Sequence, residues 1–397
     1  MEELVLKQRR LLSNLKPSFS RGLVEDIAWD ERLIGIQGAR GVGKTTLMLQ
    51  HIKEKYGNSR ECLYVSMDDV SFPYNSLVDL AEDFYNRGGK KLFVDEIHKY
   101  PNWSQELKNI YDSYQDLQIV FTGSSILHIH GGKADLSRRA VVYKMQGLSF
   151  REFIQIETGL KFPKYKLEEI FKDHEEIALM ISKKVKPLAY FQNYLKFGYY
   201  PYYLQGKNTY PVKLSATIGL TIESDIPYLL NMDMKYINKL KRFLYVLSTN
   251  VPFKPNITQL AQSLGMSRQT ILTYLRYLKD AEIISMLYAK GKGYGTFSKP
   301  EKIYLYHPNL NFALAEENTN IGNLRESFFL NQLSYIYSVD AAEAGDFFVN
   351  HKFTIEVGGK NKSFKQIKKI KNSFIAADNL EGGIGNKIPL WLFGFVY

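Results

Sequence analysis

The stretch Gly38-Ala39-Arg40-Gly41-Val42-Gly43-Lys44-Thr45 sets two glycines around a four-residue gap and follows them at once with a lysine and a hydroxyl. Glycines let the backbone curl and turn its N–H groups inward, which suits phosphate oxygens. A helix beginning at the lysine adds the partial positive charge of its N-terminus. Lys44 is then placed for the β- and γ-phosphates of a nucleotide, and the Thr45 hydroxyl for Mg²⁺. The candidate phosphate-binding residues are Gly38, Ala39, Arg40, Gly41, Val42, Gly43, Lys44, Thr45 and Thr46, with ATP and Mg²⁺ as the cofactors. Downstream, Leu92-Phe93-Val94 ends in Asp95-Glu96. Asp95 fits the metal side, and Glu96 fits the base that orients or activates an attacking water. Two acids at a strand end also occur as plain solvated surface; their position downstream of the loop argues for the site.

Two further sets could complete this chemistry. Phe121-Thr122-Gly123-Ser124-Ser125 ends a strand in hydroxyls, and Thr122 or Ser124 could meet a γ-phosphate or the water; a simple turn is the other reading. Arg138 and Arg139 form either a solvated basic pair or an arginine finger, reaching a phosphate in cis or from a neighbouring subunit of a homo-oligomer.

The elements that must carry these residues alternate. Leu33–Ile36, Cys62–Val65, Leu92–Val94, Ile119–Phe121 and Val141–Tyr143 read as strands, and Lys44–Tyr56, Leu77–Tyr85 and Trp103–Tyr114 as helices. Such alternation predicts an α/β fold, a parallel sheet of the P-loop NTPase kind covered on both faces. Residues 1 to about 30 read as an amphipathic helix and connector. The pattern after Phe153 turns helical and, from about 320, returns to mixed α/β. Domains are expected at 1–160, 161–240 (helical lid or connector), 241–310 (winged helix) and 311–397.

Residues from about 30 to 155 resemble an AAA-type ATPase of the AAA-14 group. The resemblance rests on Gly38–Thr45, Leu92-Phe93-Val94-Asp95-Glu96-Ile97-His98-Lys99, Trp103, Phe121–Ser125 and Gly147-Leu148-Ser149-Phe150-Arg151-Glu152-Phe153. It implies ATP hydrolysis by the first domain, then a winged helix and a C-terminal segment of the DUF4143 or restriction-endonuclease-like kind.

Ile257 to Arg276 has the rhythm of a helix-turn-helix. Thr258 can cap the first helix, Gly265 supplies the turn, and Ser267 caps the second. Leu260, Ala261 and Leu264 face inward with Ile271, Leu275 and Leu278. That leaves Arg268, Gln269, Thr273 and Arg276 outside, residue types that contact phosphates and base edges. Leu287–Ala289 and Lys302–Leu305 read as a hairpin with a basic tip at Lys290–Gly295. Such modules bind duplex DNA or protein partners.

Asp346 on one strand and Glu356 on the next resemble the metal-holding pair of a PD-(D/E)XK nuclease. The usual lysine position, 358, is glycine here, and Lys360 is the nearest replacement in view. A helix carrying Lys362, Lys365, Lys368, Lys369 and Lys371 is expected to follow, suited to a phosphate backbone. A nuclease-like fold that cleaves poorly or not at all is the preferred expectation.

Net charge is +11 with pI near 9.2, which fits an anionic partner. One cysteine, Cys62, precludes an internal disulfide and fits a reducing, cytoplasmic setting. No run approaches the roughly eighteen apolar residues of a membrane span, and Leu390–Tyr397 reads as a final buried strand. An ATP-driven switch on DNA is the leading expectation. A regulatory ATPase with protein partners and an ATP-gated nuclease are the alternatives.

Overall fold

Five apolar runs become the strands of one parallel sheet in the computed structural model, which describes residues 1–15, 19–69, 72–128, 136–230, 232–250, 254–289, 299–314 and 320–397. They are β1 (Leu33–Gly38), β2 (Cys62–Ser66), β3 (Lys91–Asp95), β4 (Gln118–Ser124) and β5 (Val141–Lys144), in the order β2-β3-β4-β1-β5. The helices among them are α1 (Glu2–Asn14), α2 (Leu23–Asp26), α3 (Lys44–Lys55), α4 (Leu77–Asn86) and α5 (Trp103–Ser113). The sheet places β3, β4 and β1 side by side, so Asp95, Ser124 and Gly38 finish neighbouring strands at one edge. β4 outruns its apolar stretch because Thr122, Gly123 and Ser124 still pair with Ile36, Gln37 and Gly38.

β2 would expose a row of unpaired backbone groups, and α1 covers it. Leu4, Gln8 and Leu12 are its buried stripe. The Gln8 amide donates to Cys62 O at 3.3 Å and accepts from Tyr64 N at 2.7 Å, standing where another strand would pair.

The chain divides into two compact units, Met1–Gly147 with a short stretch from Tyr228, and the remainder. The boundary therefore precedes α6 (Phe150–Thr158), not residue 160. Ser149 caps α6 in a reciprocal capping box with Glu152, and Phe150 packs on Phe191 and Tyr194 of the second unit.

That unit continues through α7 (Leu167–Ser182), α8 (Pro187–Phe197) and α9 (Tyr210–Leu220), then, past α10 (Ile226–Leu230), which is divided between the units at Tyr228, through α11 (Ile237–Ser248), α12 (Ile257–Leu264) and α13 (Arg268–Asp280). The antiparallel pair β6 (Ile284–Leu287) and β7 (Lys302–Leu305) follows, then α14 (Pro308–Leu314) and α15 (Ile321–Ser334). A mixed sheet closes the chain: β8 (Val339–Ala341), β9 (Phe347–Val349), β10 (Phe353–Gly358), β11 (Ser373–Ala377) and β12 (Lys387–Pro389), ordered β12-β11-β10-β9-β8.

The expected boundaries at 240 and 310 are not gaps in packing. The Gln332 amide of α15 donates to Tyr194 OH at 3.0 Å and Tyr397 OH at 3.1 Å. Asn309 of α14 donates to the Tyr194 and Leu195 carbonyls and accepts from Tyr199 N and Tyr210 OH. A buried polar network satisfied this fully ties α8, α9, α14, α15 and the C-terminal residue into one core.

Three local expectations are corrected. Leu390–Phe395 is buried but forms a 3₁₀ helix instead of a strand, since Pro389 carries no N–H to continue the ladder. The lysine-rich stretch after Gly359 forms only a short 3₁₀ turn, Phe364–Gln366. Its apolar residues Phe364, Ile367 and Ile370 recur every third position, matching three residues per turn, and pack with Ile375 and Ala377. The cap of α12 is Asn256, whose side chain accepts from Gln259 N at 3.2 Å, so Thr258 lies inside the helix.

Candidate functional site

The phosphate loop sits between β1 and α3, as its spacing requires. Gly41 and Gly43 take φ of 87° and 100°, values that are strained for any residue with a side chain. A Cβ at Gly38 would lie 2.2 Å from Met145 O, so only glycine fits there. Buried Lys44 turns its ammonium back onto Gly38 O at 2.8 Å and Ala39 O at 3.1 Å. Val42 is buried, Arg40 half-buried and Thr46 exposed.

Asp95 is the hub of the site. Its carboxylate, 2% exposed, accepts from Thr45 Oγ1 at 2.8 Å and Tyr64 OH at 2.8 Å on one oxygen, and from Thr122 Oγ1 on the other. Hydroxyls solvate the carboxylate without cancelling its charge. Burial, then the adjacent Asp95 carboxylate, pushes the Tyr64 phenol up from its ordinary pKa. Glu96 takes a left-handed conformation at φ 53°, its N–H donates to Thr122 Oγ1 at 2.9 Å, and its carboxylate lies 3.1 Å from Nδ1 of buried His98.

Of the two hydroxyl candidates on β4, Thr122 meets the acids. Ser124 instead ends β4 opposite Gly38, and its Oγ accepts from Ile126 N. The arginines fall elsewhere. β5 begins with Val141 opposite Ile34, four residues or about 13 Å down the strand from Gly38. Arg139 forks the Asp112 carboxylate at 2.9 and 3.0 Å, and Arg138 is exposed. Arg139 is thus engaged by Asp112 of α5 in this structure.

Residues that spacing did not single out also shape the site. Tyr64 pairs in register with Phe93, two residues before Asp95, so alternation turns it to the face of that carboxylate. Buried Arg21 donates to Val42 O at 2.9 Å, Gln146 O at 2.7 Å and Gly147 O at 2.9 Å, clamping the phosphate loop to the segment after β5. No periodicity marks an arginine that acts through backbone carbonyls.

In the second unit, α12 and α13 turn at Gly265, φ 61°, and the Ser267 side chain caps α13 by accepting from Thr270 N at 3.0 Å. Leu260, Ala261, Leu264, Ile271, Leu275 and Leu278 are buried. Arg268 and Gln269 are exposed; Thr273 and Arg276 are half-buried. The expected basic tip, Lys290–Gly295, lies outside the described residues.

Asp346 and Glu356 come together across the β9–β10 pair, but with different company than expected. Asp346 accepts from Val357 N at 2.9 Å and meets Lys302 Nζ at 3.4 Å; the same ammonium lies 3.2 Å from Glu326 of α15. Glu356 is paired with Lys362 at 2.5 Å. Lys360 is not the lysine that reaches in. A side chain at Gly358 would lie 2.7 to 2.9 Å from the Lys362 stem, which fills that space. Burial raises the Glu356 pKa against the pull of Lys362. Among the described residues no group of three or more His, Cys, Asp or Glu side chains is placed to hold a metal ion, and no helix is long and apolar enough to cross a membrane.

Residues 30–154 match the model of a family described as an AAA domain, and residues 188–320 match a domain of unknown function, DUF8612. The chain is similar to the uncharacterized protein MJ1637 of Methanocaldococcus jannaschii, 26% identical over 378 residues, spanning 85% of this chain and 78% of the relative. It is also similar to MJ1544 of the same organism, 25% identical over 347 residues, spanning 84% and 73%. Solved structures that align include AMPPCP-bound DnaA of Aquifex aeolicus, at 14% identity and TM-score 0.27, covering 67% of this chain and 93% of that one. A RuvB of Thermotoga maritima aligns at 18% identity and TM-score 0.27, covering 72% and 89%. The parallel five-stranded sheet and the AAA-domain match define the first unit as an α/β P-loop NTPase fold of the AAA type.

ATP with Mg²⁺ fits the residues present. Gly38 has no room for a Cβ, Gly41 and Gly43 hold positive φ, the Lys44 ammonium rests on two loop carbonyls, and Thr45 and Asp95 already meet.

Proposed function

We propose that this chain is an ATP-driven switch that hydrolyses ATP in its first unit and engages duplex DNA with its second. The observation that carries the first half is the Asp95 carboxylate, buried yet surrounded by the hydroxyls of Thr45, Tyr64 and Thr122. Residues Gly38–Thr46 hold the phosphates, with Lys44 at the β- and γ-positions; Thr45 and Asp95 hold Mg²⁺. The metal neutralises phosphate charge when bound. Glu96, fixed at its backbone by Thr122, orients water and takes its proton. Arg138 is the residue left for a finger in trans, which makes the active form a homo-oligomer; Ser124 stands beside the loop as a secondary phosphate contact.

The DNA half is supported by the exposed Arg268 and Gln269 at the start of α13, the net charge, and the lysines after Gly359. A nuclease reading finds less support, since lysine ammoniums already compensate Asp346 and Glu356.

Titration of a fluorescent ATP analogue tests the site. Lys44→Ala should lose binding, and Glu96→Gln should bind and lose turnover about 100-fold or more; parent-like hydrolysis by Glu96→Gln would sink the base assignment. Duplex binding should fall steeply with salt and weaken in Arg268→Ala. No duplex binding at low salt, with or without nucleotide, would favour a protein partner instead.

A further inference from the structure

α11, which precedes the helix-turn-helix, buries one side and leaves the other unpartnered. Ile237, Leu240, Phe243, Leu244 and Leu247 are buried. The opposite stripe carries Lys239, Arg242 and Tyr245 at helical spacings of three and three, and Lys235 lies in the 3₁₀ turn Met234–Tyr236 just before the helix. Tyr245 is 66% exposed and Tyr236 39%. Acids satisfy only the margins: Lys235 pairs with Asp233 at 2.8 Å, and Lys241 with Glu223. Lys239 and Arg242 have no acidic partner among the described residues. The Lys239 ammonium stands 5.9 Å from the centre of the Tyr236 ring. On its buried side, Phe243 of α11 lies 6.2 Å from the buried ring of Tyr274, so α13 packs against the side opposite this stripe.

Exposed rings between unpaired cations suit a ligand with alternating needs, flat faces to stack and regularly spaced anions. Duplex DNA offers the anions but keeps its base faces stacked inside. A single strand offers both. We infer that the exposed face and N-terminal end of α11 form a second nucleic-acid surface, distinct from the start of α13, that takes single-stranded nucleic acid, with phosphates on Lys239 and Arg242, one base on Tyr245 of that face and another on Tyr236 at the helix's start. It deepens the proposed function, resting on the reading that the second unit binds nucleic acid: a duplex end at α13 and a separated strand at α11 would serve a protein acting where strands part.

The test is fluorescence anisotropy of a labelled oligothymidylate and of a labelled duplex, each titrated with the full chain. Tyr236→Ala and Tyr245→Ala should each weaken single-strand binding about tenfold, while Tyr236→Phe and Tyr245→Phe, which keep the ring, should bind like the parent. Lys239→Ala with Arg242→Ala should lower the salt slope by about 1.4, two single-strand phosphate contacts. Arg268→Ala should weaken duplex binding and leave the single strand within about twofold, as expected for separate surfaces. Duplex binding lost with single-strand binding retained and sensitive to the tyrosines would sink the α13 reading and keep this one. Failure of the parent to bind oligothymidylate at low salt, or indifference of that binding to both Tyr→Ala variants, would overturn it. Displacement of oligothymidylate by polyglutamate at equal charge concentration would overturn it in favour of an acidic protein partner.

Discussion

Asp95 and Glu356 are equally buried, each 2% exposed and each on a strand of its unit's sheet, yet their surroundings are opposite. Asp95 is met by three hydroxyls, while the nearby Lys44 ammonium turns to loop carbonyls. Glu356 is met by the Lys362 ammonium, and its neighbour Asp346 shares Lys302 with Glu326. Hydroxyls lower the cost of burying a carboxylate without bringing a positive charge to it; ammoniums offset its charge, though burial still weighs on Glu356. The first centre has the donor set proposed above for Mg²⁺, whereas the second is already paired with ammoniums of the chain's own lysines.

The largest effect that could break this contrast is at Asp95. Asp95→Asn keeps the shape and an acceptor oxygen but removes the charge. ATP turnover should fall about 100-fold or more, and the Mg²⁺ concentration needed for half-maximal rate should rise. Parent-like turnover and Mg²⁺ dependence would mean the hydroxyl-lined carboxylate is structural.

The second centre should answer in stability. Lys302→Met removes the cation shared by Glu326 and Asp346 and leaves two carboxylates facing each other. The loss should be about 2–3 kcal/mol in denaturant unfolding, partly restored by Mn²⁺ in the variant and not in the parent. If Mn²⁺ stabilises the parent, and the parent nicks plasmid in a way that Asp346→Ala abolishes, the second centre is a metal site after all and the contrast collapses.

The two centres also differed in how far the sequence disclosed them. The phosphate loop and Asp95-Glu96 are legible because each is a contiguous run whose chemistry is local, and the five strands announce themselves as apolar runs between helices. Thr122 was in view, but only strand register separates it from Ser124, since two residues along β4 exchange the acids for Gly38. Arg21 left no mark, because its partners are the carbonyls of Val42, Gln146 and Gly147, which any side chain could supply. At the second centre, counting from Glu356 pointed to Lys360, whereas the chain turns after Gly358 and returns Lys362 into the space that glycine leaves. Lys302 and Glu326 come from elements expected to belong to a separate winged helix and a separate domain. One buried network joins those elements, so the boundary that mattered lay at Gly147.

The smallest effect sharpens the contrast at alkaline pH. Tyr64 has its folded pKa raised above the ordinary phenol value of 10.0, first by burial and then by Asp95. Lys362 is raised above 10.5, first by its hydrogen bond to Glu356. For both, a raised folded pKa means stability that is fully present below the unfolded value and lost as pH climbs toward the folded one. The directions coincide but the causes do not. The phenol must stay neutral in a dry site, a requirement that salt does not touch. The lysine must stay charged beside a carboxylate from a part-exposed position, an attraction that salt screens. Unfolding midpoints measured from pH 9 to 11.5 should therefore fall less steeply in Tyr64→Phe and in Lys362→Met than in the parent. The Lys362 share should be under about 1 kcal/mol and should shrink in 1 M NaCl, while the Tyr64 share should not. Equal salt sensitivity of the two shares would mean that both carboxylates are held by charge, and that Asp95 is as fully compensated as Glu356.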